Sequence, residues 1–234
     1  MAFDRKYAAL MSLKPDVAIV PECATPEILA RKAPGFQPSA ALWVGENKDK
    51  GLAVFAFNDL KLSLASDFEP SLKYILPAKV TGPVEFDLLA IWAFMSGKYM
   101  KDRRDIGPVN KAIARYERKL ASGRAIIAGD FNNHLKWDRR GNPRNFGIVT
   151  EKLNQLGMAS AYHYARNLSH GDETEQTHYW RDRREFSPYN CHIDYLFLPS
   201  TFLKKMKQFE IGNYGDWCGN KLSDHVPLLV DVAP

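Results

Sequence analysis

The residues best suited to chemistry in this 234-residue chain stand at the ends of apolar runs. Glu22 follows the run 17–20, and Asp130 and Asn132 follow 125–128. Asp194 lies inside 191–198, and Asp224 and His225 immediately precede 226–232. Short apolar runs bounded by polar residues read as buried strands. Strand ends meet at one edge of a sheet, where loops build active sites. Taken singly, each residue has an ordinary reading: a solvated terminus for Glu22, turn chemistry for Asp130-Phe131-Asn132, a core carboxylate for Asp194, an incidental pair for Asp224-His225. Taken together they supply hard oxygen ligands (Glu22, Asp224), a carboxylate with an amide two residues on (Asp130, Asn132), and an imidazole with a spare carboxylate (His225, Asp194). Hard oxygens without thiolates or paired histidines select Mg²⁺, Mn²⁺ or Ca²⁺. That inventory suits metal-assisted hydrolysis of a phosphate ester.

The elements that must position these residues can be read along the chain. Phe3, Tyr7, Leu10 and Met11 share a helical face, and Lys14-Pro15-Asp16 ends that helix. Residues 16–20 predict a buried strand. Thr25-Pro26-Glu27 predicts a helix start with proline at the first helical position, running to about Lys32. Residues 40–44 and 52–57 flank a polar, glycine-ended connection suited to a hairpin, and 60–66, 74–80 and 84–94 continue a meander. Pro108 opens an amphipathic helix with Val109, Ala112, Ile113, Tyr116 and Leu120 on one face and Gly123 as its stop. Residues 124–128 lead into Gly129-Asp130-Phe131-Asn132, and Asn145 is the expected cap of a helix that ends at Gly157. Residues 158–165, 177–180, 191–198, 207–212 and 226–232 read as strands, with a short helix from Ser200. Helices interspersed among many strands suit two packed sheets with helices outside, rather than a doubly wound parallel sheet.

Composition narrows the class. The chain is 45% hydrophobic and 25% charged, as expected of a packed globular domain. Its length fits one domain. The 32 basic and 27 acidic residues give a formal charge of +5, a modest excess that fits either a solvated surface or attraction to anionic partners. Cys23, Cys191 and Cys218 form neither a disulfide framework nor a C-x-x-C zinc pair. The start carries Asp4, Arg5 and Lys6 where a signal peptide has an apolar core. No run approaches the ~18 apolar residues of a membrane span. These features predict a cytoplasmic monomer.

The order Pro21-Glu22, Gly129-Asp130-Phe131-Asn132, His192-Ile193-Asp194-Tyr195 and Ser223-Asp224-His225 resembles the endonuclease/exonuclease/phosphatase (deoxyribonuclease I-like) superfamily over about residues 4–232. With Trp137-Asp138 after the Gly-Asp-Phe-Asn loop, it is similar to small bacterial members. The resemblance implies an α+β fold, a four-layer α/β/β/α sandwich of two mixed sheets with outer helices. It implies a metal-dependent phosphodiesterase using Mg²⁺ (or Mn²⁺), with Glu22 the metal ligand and Asp224 beside the metal. Asp130 would orient and deprotonate the attacking water, and Asn132 would hydrogen-bond that water or a phosphate oxygen. His225 would stabilise the scissile phosphate, and Asp194 would fix the His225 ring. Positioned water, a cation and aimed donors are what in-line attack on a phosphodiester needs.

Two departures accompany the likeness. The family begins with a central strand carrying Trp-Asn, whereas Met1-Ala2-Phe3 already enters the first helix. A misassigned start, a trimmed chain and a protein truly lacking the strand are the three readings, the first favoured. The family's His or Tyr near the phosphate after the strand 84–94 is replaced by Trp92, Ala93 and Phe94, leaving His134 and His178 as stand-ins; Trp92 reads either as a base-stacking ring or as a core aromatic. Basic loops at 98–104, 136–144 and 181–184 make DNA or RNA the leading substrate. A phospholipid or small phosphoester, or an impaired binding module of the same fold, are the alternatives.

Overall fold

The computed structural model describes residues 3–94, 105–179 and 191–234. A 3-10 turn at Phe3–Arg5 leads into α1 (Tyr7–Ser12), then β1 (Val17–Cys23) and α2 (Pro26–Lys32). β2 (Ala40–Asn47) and β3 (Lys50–Ala56) form the expected hairpin, closed by Lys48-Asp49 between the paired Asn47 and Lys50. β4 (Lys61–Leu64), β5 (Ile75–Thr81) and β6 (Phe86–Trp92) are an antiparallel meander. α3 (Gly107–Arg115) and α4 (Glu117–Leu120) cross over to β7 (Ala125–Asp130), which lies parallel to β6. α5 (Phe146–Gln155), β8 (Met158–Ser160) and α6 (Ala161–Arg166) follow, then β9 (Asp194–Pro199), α7 (Ser200–Leu203), β10 (Met206–Ile211) and β11 (Leu228–Val232).

The strands form a six-stranded sheet in the order β4-β5-β6-β7-β9-β8, a three-stranded sheet β1-β3-β2 and a two-stranded sheet β10-β11. Alternation along each strand decides what packs where. Leu52, Val54 and Ala56 of β3 face Leu76, Ala78, Leu88 and Ala90 of the large sheet, forming the core between sheets. Leu198 of β9 meets Phe209 of β10 and its partner β11 in the same way. The opposite face of the large sheet is covered by α3, α4 and α5 through Val109, Ile113, Leu120, Phe146, Val149 and Leu153. Phe3, Leu29 and Phe36 cover the outer face of β1-β3-β2. The result is helix, sheet, sheet, helix. Among the described residues β1 and β11 each pair with a strand on one side only.

Four local expectations are corrected. The helix expected from 108 to 120 breaks at Tyr116 (φ −107°, ψ 17°), whose hydroxyl accepts from Glu69 N–H at 3.2 Å. The strand expected over 158–165 ends at Ser160 and becomes α6; a short apolar run does not distinguish strand from helix by periodicity. Residues 177–179 contribute one isolated bridge, His178 to His225, and Trp180 lies outside the described residues. Asn145 precedes α5 without a side-chain cap; Asp138 instead accepts from Phe146 N–H at 2.6 Å and Gly147 N–H at 2.8 Å. Asp138 thus fills the orphan donors of the first turn and sets a negative charge there. Trp92 is a core aromatic, 2% exposed and packed on Tyr74 and Phe94. No described helix is long and apolar enough to cross a membrane.

Candidate active site

Asp130 is the last residue of β7 and stands opposite Asp194, the first of β9. Bringing them there requires Gly129. It has φ +137°, and a Cβ at this position would lie 2.0 Å from the Ile91 carbonyl oxygen of the neighbouring strand. Only glycine combines that backbone angle with that approach. Past the strand end, Asn132 takes a left-handed conformation (φ +47°). This turns both of its donors back: backbone N–H to Asp130 Oδ1 at 2.8 Å and Nδ2–H to Asp130 Oδ2 at 2.9 Å.

Asp194 is fixed from behind. The Thr177 hydroxyl oxygen accepts from Ile193 N–H (3.0 Å) and Asp194 N–H (3.1 Å), tying the start of β9 to the strand-like segment before it. Asp194 Oδ2 then meets His225 Nδ1 at 2.8 Å, joining the large sheet to the residues preceding β11. Ser223 supports the other end, its hydroxyl accepting from His225 N–H at 3.2 Å. His178 lies beside His225, ring centroids 4.4 Å apart and planes tilted by 40°.

Glu22 occupies a β-bulge where the pairing of β1 with β3 shifts between Pro21 and Cys23, and its φ is +57°. A non-glycine residue in the left-handed region at a functional edge is held there by its surroundings. Its carboxylate pairs with Lys50 Nζ at 3.0 Å. Asp224 is half-buried, its carbonyl accepting from Tyr179 N–H at 2.7 Å.

These groups share one electrostatic neighbourhood. Burial, reinforced by the Asp194 charge and opposed by His225, pushes Asp130 up to about 7. Burial opposes the charged form of His225, but the charge and hydrogen bond of Asp194, with Asp130 and Asp224, prevail and raise it to about 9. Burial and then the His225 charge lower His178 to about 4. A charged imidazole therefore sits between carboxylates while its neighbour ring stays neutral. Burial would raise the Glu22 carboxyl, yet the positive groups around it, Lys50 among them, hold it below the usual range. Burial lowers the half-buried Lys6 ammonium, against the attraction of Asp224 and Glu22.

The sequence-derived residues thus gather as Asp130 with Asn132, Asp194 with His225, and Glu22 and Asp224 around Lys6. Of the two stand-in histidines, His178 lies here, while His134 does not: it is fully buried against Glu173 in a separate cluster. Lys6, Lys50, Thr177 and Ser223 were not singled out by sequence. Only Ser223, inside the Ser-Asp-His run, carried a local signal.

No protein-family model matches the chain, and no curated protein matches it. Solved structures do. An AP endonuclease from Archaeoglobus fulgidus is 17% identical with a TM-score of 0.65, over 98% of this chain and 95% of that one. The 3'-5' exonuclease NExo from Neisseria meningitidis is 15% identical with a TM-score of 0.63, over 99% and 96%. The AP endonuclease LMAP from Leishmania major is 13% identical with a TM-score of 0.66, over 97% and 81%. These neighbours are endonuclease/exonuclease/phosphatase-type, DNase I-like proteins, and at such identities the likeness establishes a shared fold.

Proposed function

We propose that this chain, acting as a single-domain monomer, hydrolyses phosphodiester bonds with a divalent metal ion, and that its substrate is nucleic acid. The observation that carries the reading is the convergence of Asp130, Asn132, Asp194 and His225 at adjoining strand ends, with Glu22 and Asp224 acting on the same charges. No requirement of the fold alone explains two such hydrogen-bonded polar pairs, with Asp130 placed opposite Asp194.

The donor chemistry fits a hard cation. Glu22 and Asp224 are partly exposed carboxylates that both act on the Lys6 ammonium, and such oxygens suit Mg²⁺ or Mn²⁺. When bound by them, the ion would neutralise charge on the phosphate's non-bridging oxygens. The remaining work belongs to the chain. Asp130, raised toward neutrality, accepts the proton of the attacking water, a match of basicity to operating pH that typically contributes ~10²–10⁴-fold. Asn132 holds both Asp130 oxygens and so aims the lone pairs left over. Water oxygen bonds to phosphorus, the ester P–O bond opposite breaks, and the departing oxygen takes a proton from solvent. His225, oriented by Asp194 through Nδ1, offers Nε2–H to the developing charge.

Nucleic acid is favoured by the loop after Asn132, where Lys136, Arg139 and Arg140 are exposed beside a Trp137 that is 47% exposed. Cations interleaved with an exposed ring suit phosphates and unstacked bases. The structural neighbours, two AP endonucleases and an exonuclease, agree. Arg144 is engaged with Asp105 at 3.1 Å, and the loops 98–104 and 181–184 lie outside the described residues.

A second reading, an impaired binding module, is favoured by one observation: the Lys6 ammonium, 3.5 Å from Ser223 Oγ, brings a positive charge that both Asp224 and Glu22 attract. Hydrolysis of bis(p-nitrophenyl) phosphate and nicking of plasmid DNA, each with Mg²⁺, Mn²⁺ or EDTA, separates the two. Metal-dependent turnover abolished by Asp130→Ala is expected. Folded protein that binds DNA without turning over either substrate overturns the enzyme reading.

A further inference from the structure

Four of the chain's six histidines are not in the site just described: His134, His163, His170 and His192 converge around Glu173. We propose that His163, His170 and Glu173 bind a zinc ion that clamps the segment 167–176 onto the large sheet. The candidate ligand atoms of these three residues all lie within 4.8 Å of one another. His163 Nε2 is 3.1 Å and His170 Nδ1 4.0 Å from the same oxygen, Glu173 Oε1. Two donors on one tetrahedral zinc stand about 3.4 Å apart at the usual metal–ligand distances of about 2.0–2.2 Å. The observed spacings bracket that value, so small side-chain adjustments would bring the three donors onto one ion and leave its fourth position to water.

The surroundings are those of metal ligands held from behind. His163 Nδ1 is hydrogen-bonded to Ser160 Oγ at 2.8 Å, which aims Nε2 at Glu173. Glu173 Oε2 accepts from Gly171 N–H at 2.9 Å and faces His134 Nε2 at 3.2 Å, so Oε1 is the oxygen turned toward the two rings. His134 in turn accepts from Lys136 N–H at Nδ1, leaving its proton on Nε2. Outer partners of this kind fix ring orientation and carboxylate rotation. An independent observation points to a ligand. His170 Nδ1, facing Glu173, and His134 Nε2 and His192 Nε2, on fully buried rings nearby, have no hydrogen-bond partner among the described residues. Buried nitrogens are rarely left so. Two imidazoles and one carboxylate suit Zn²⁺, whereas Mg²⁺ demands an oxygen shell. Access is through His170, whose side chain is 23% exposed.

The location fits a clamp. His170 packs near Phe146, Tyr195 and Phe197, on the helix-covered face of β9, whereas Asp194, on the opposite face of the strand, meets His225. His163 is on α6, and His170 and Glu173 are in the segment after it that has no helix or strand of its own. Binding there exchanges no bond of the hydrolytic site.

The full chain, stripped with chelator and dialysed, would be titrated with Co²⁺ and followed by visible absorption, then with Zn²⁺ in competition. One equivalent with four-coordinate Co²⁺ bands is expected, displaced by Zn²⁺ but not by millimolar Mg²⁺. It should persist in Glu22→Gln/Asp224→Asn and be lost in His170→Ala, whose Nδ1 has no hydrogen-bond partner among the described residues. Loss of the bands in the Glu22/Asp224 variant, or their survival in His170→Ala, overturns the proposal. X-ray absorption of the zinc-loaded wild-type chain reads the same question without a variant: imidazole and oxygen scattering supports the site, and sulfur in the shell or no tight zinc overturns it.

Discussion

His225 Nδ1 lies 2.8 Å from Asp194 Oδ2, and this bond ties the first residue of β9 in the large sheet to the residue pair that leads into β11 in the small one. It orients the ring and raises its affinity for a proton, so geometry and charge depend on the same contact. Asp194→Asn keeps the shape and removes the charge. A fall in kcat of about 10²–10³-fold is expected, with KM for a DNA substrate little changed and the thermal midpoint within a few degrees of wild type. Steady-state kinetics alongside thermal melts provide the check; unchanged kcat would remove Asp194 from the account.

Gly129 makes the approach of β7 to β6 possible. Gly129→Ala places a Cβ 2.0 Å from the Ile91 carbonyl oxygen at φ +137°, so something in two central strands must move. A loss of at least about 2–3 kcal/mol is expected, from backbone strain and steric overlap together. Urea denaturation reads it directly. Gly141, also at positive φ (+75°) but with nothing within 4 Å of its Cβ, isolates the steric part, so Gly141→Ala should cost only its backbone strain and less than Gly129→Ala.

Asp138 rather than Asn145 completes the N-terminus of α5. Asp138→Ala should therefore cost about 1 kcal/mol, part of it from the charge at the helix N-terminus. Asn145→Ala removes its exchange of bonds with Arg139 but no first-turn partner, and should cost less. Chemical denaturation of the two variants side by side decides the order.

The buried histidines set an acid limit on the metal-free protein. Burial lowers His170 to about 3, helped by His163, and His192 to about 4. Hydrogen bonds from its neighbours outweigh burial and hold Glu173 far below the usual carboxylate range. Groups with depressed folded values bind fewer protons in the folded state than in the unfolded one. The histidine contribution is present above the unfolded value near 6.5 and drains away as pH falls toward 4, whereas that of Glu173 is lost only below the unfolded carboxylate value of 4.5. A loss on the order of 2 kcal/mol across that window is expected in EDTA. Denaturant titrations at pH 7.5, 6 and 4.5 measure it; a flat profile would mean that these rings are not held neutral.

Much of this arrangement is legible in the sequence because it rests on local patterns. Glu22, Asp130, Asn132, Asp194, Asp224 and His225 stand at the ends of apolar runs, and the runs become β1, β7, β9 and β11. The layer order follows from strands that alternate and helices that carry one apolar face. What escaped is non-local or ambiguous. Residues 161–166 are as apolar as the strand before them, and only packing against β9 and β10 makes them helix. The capping role of Asp138 depends on a loop returning eight residues later. Lys6 and Lys50 reach Asp224 and Glu22 from distant elements. His134 followed the Gly-Asp-Phe-Asn run closely enough to suggest a part in catalysis, yet the chain turns it to Glu173, on a segment some forty residues away.

The most direct test is single-turnover cleavage of an end-labelled DNA duplex by excess wild-type chain and by Asp130→Asn, both in Mg²⁺. The Asn side chain keeps the size of Asp130 and loses the basic oxygen. Cleavage by wild type and a rate at least about 10²-fold lower in Asp130→Asn are expected, with DNA binding retained. Equal rates in the two proteins would contradict the proposed function, because the strand-end cluster would then not perform the chemistry.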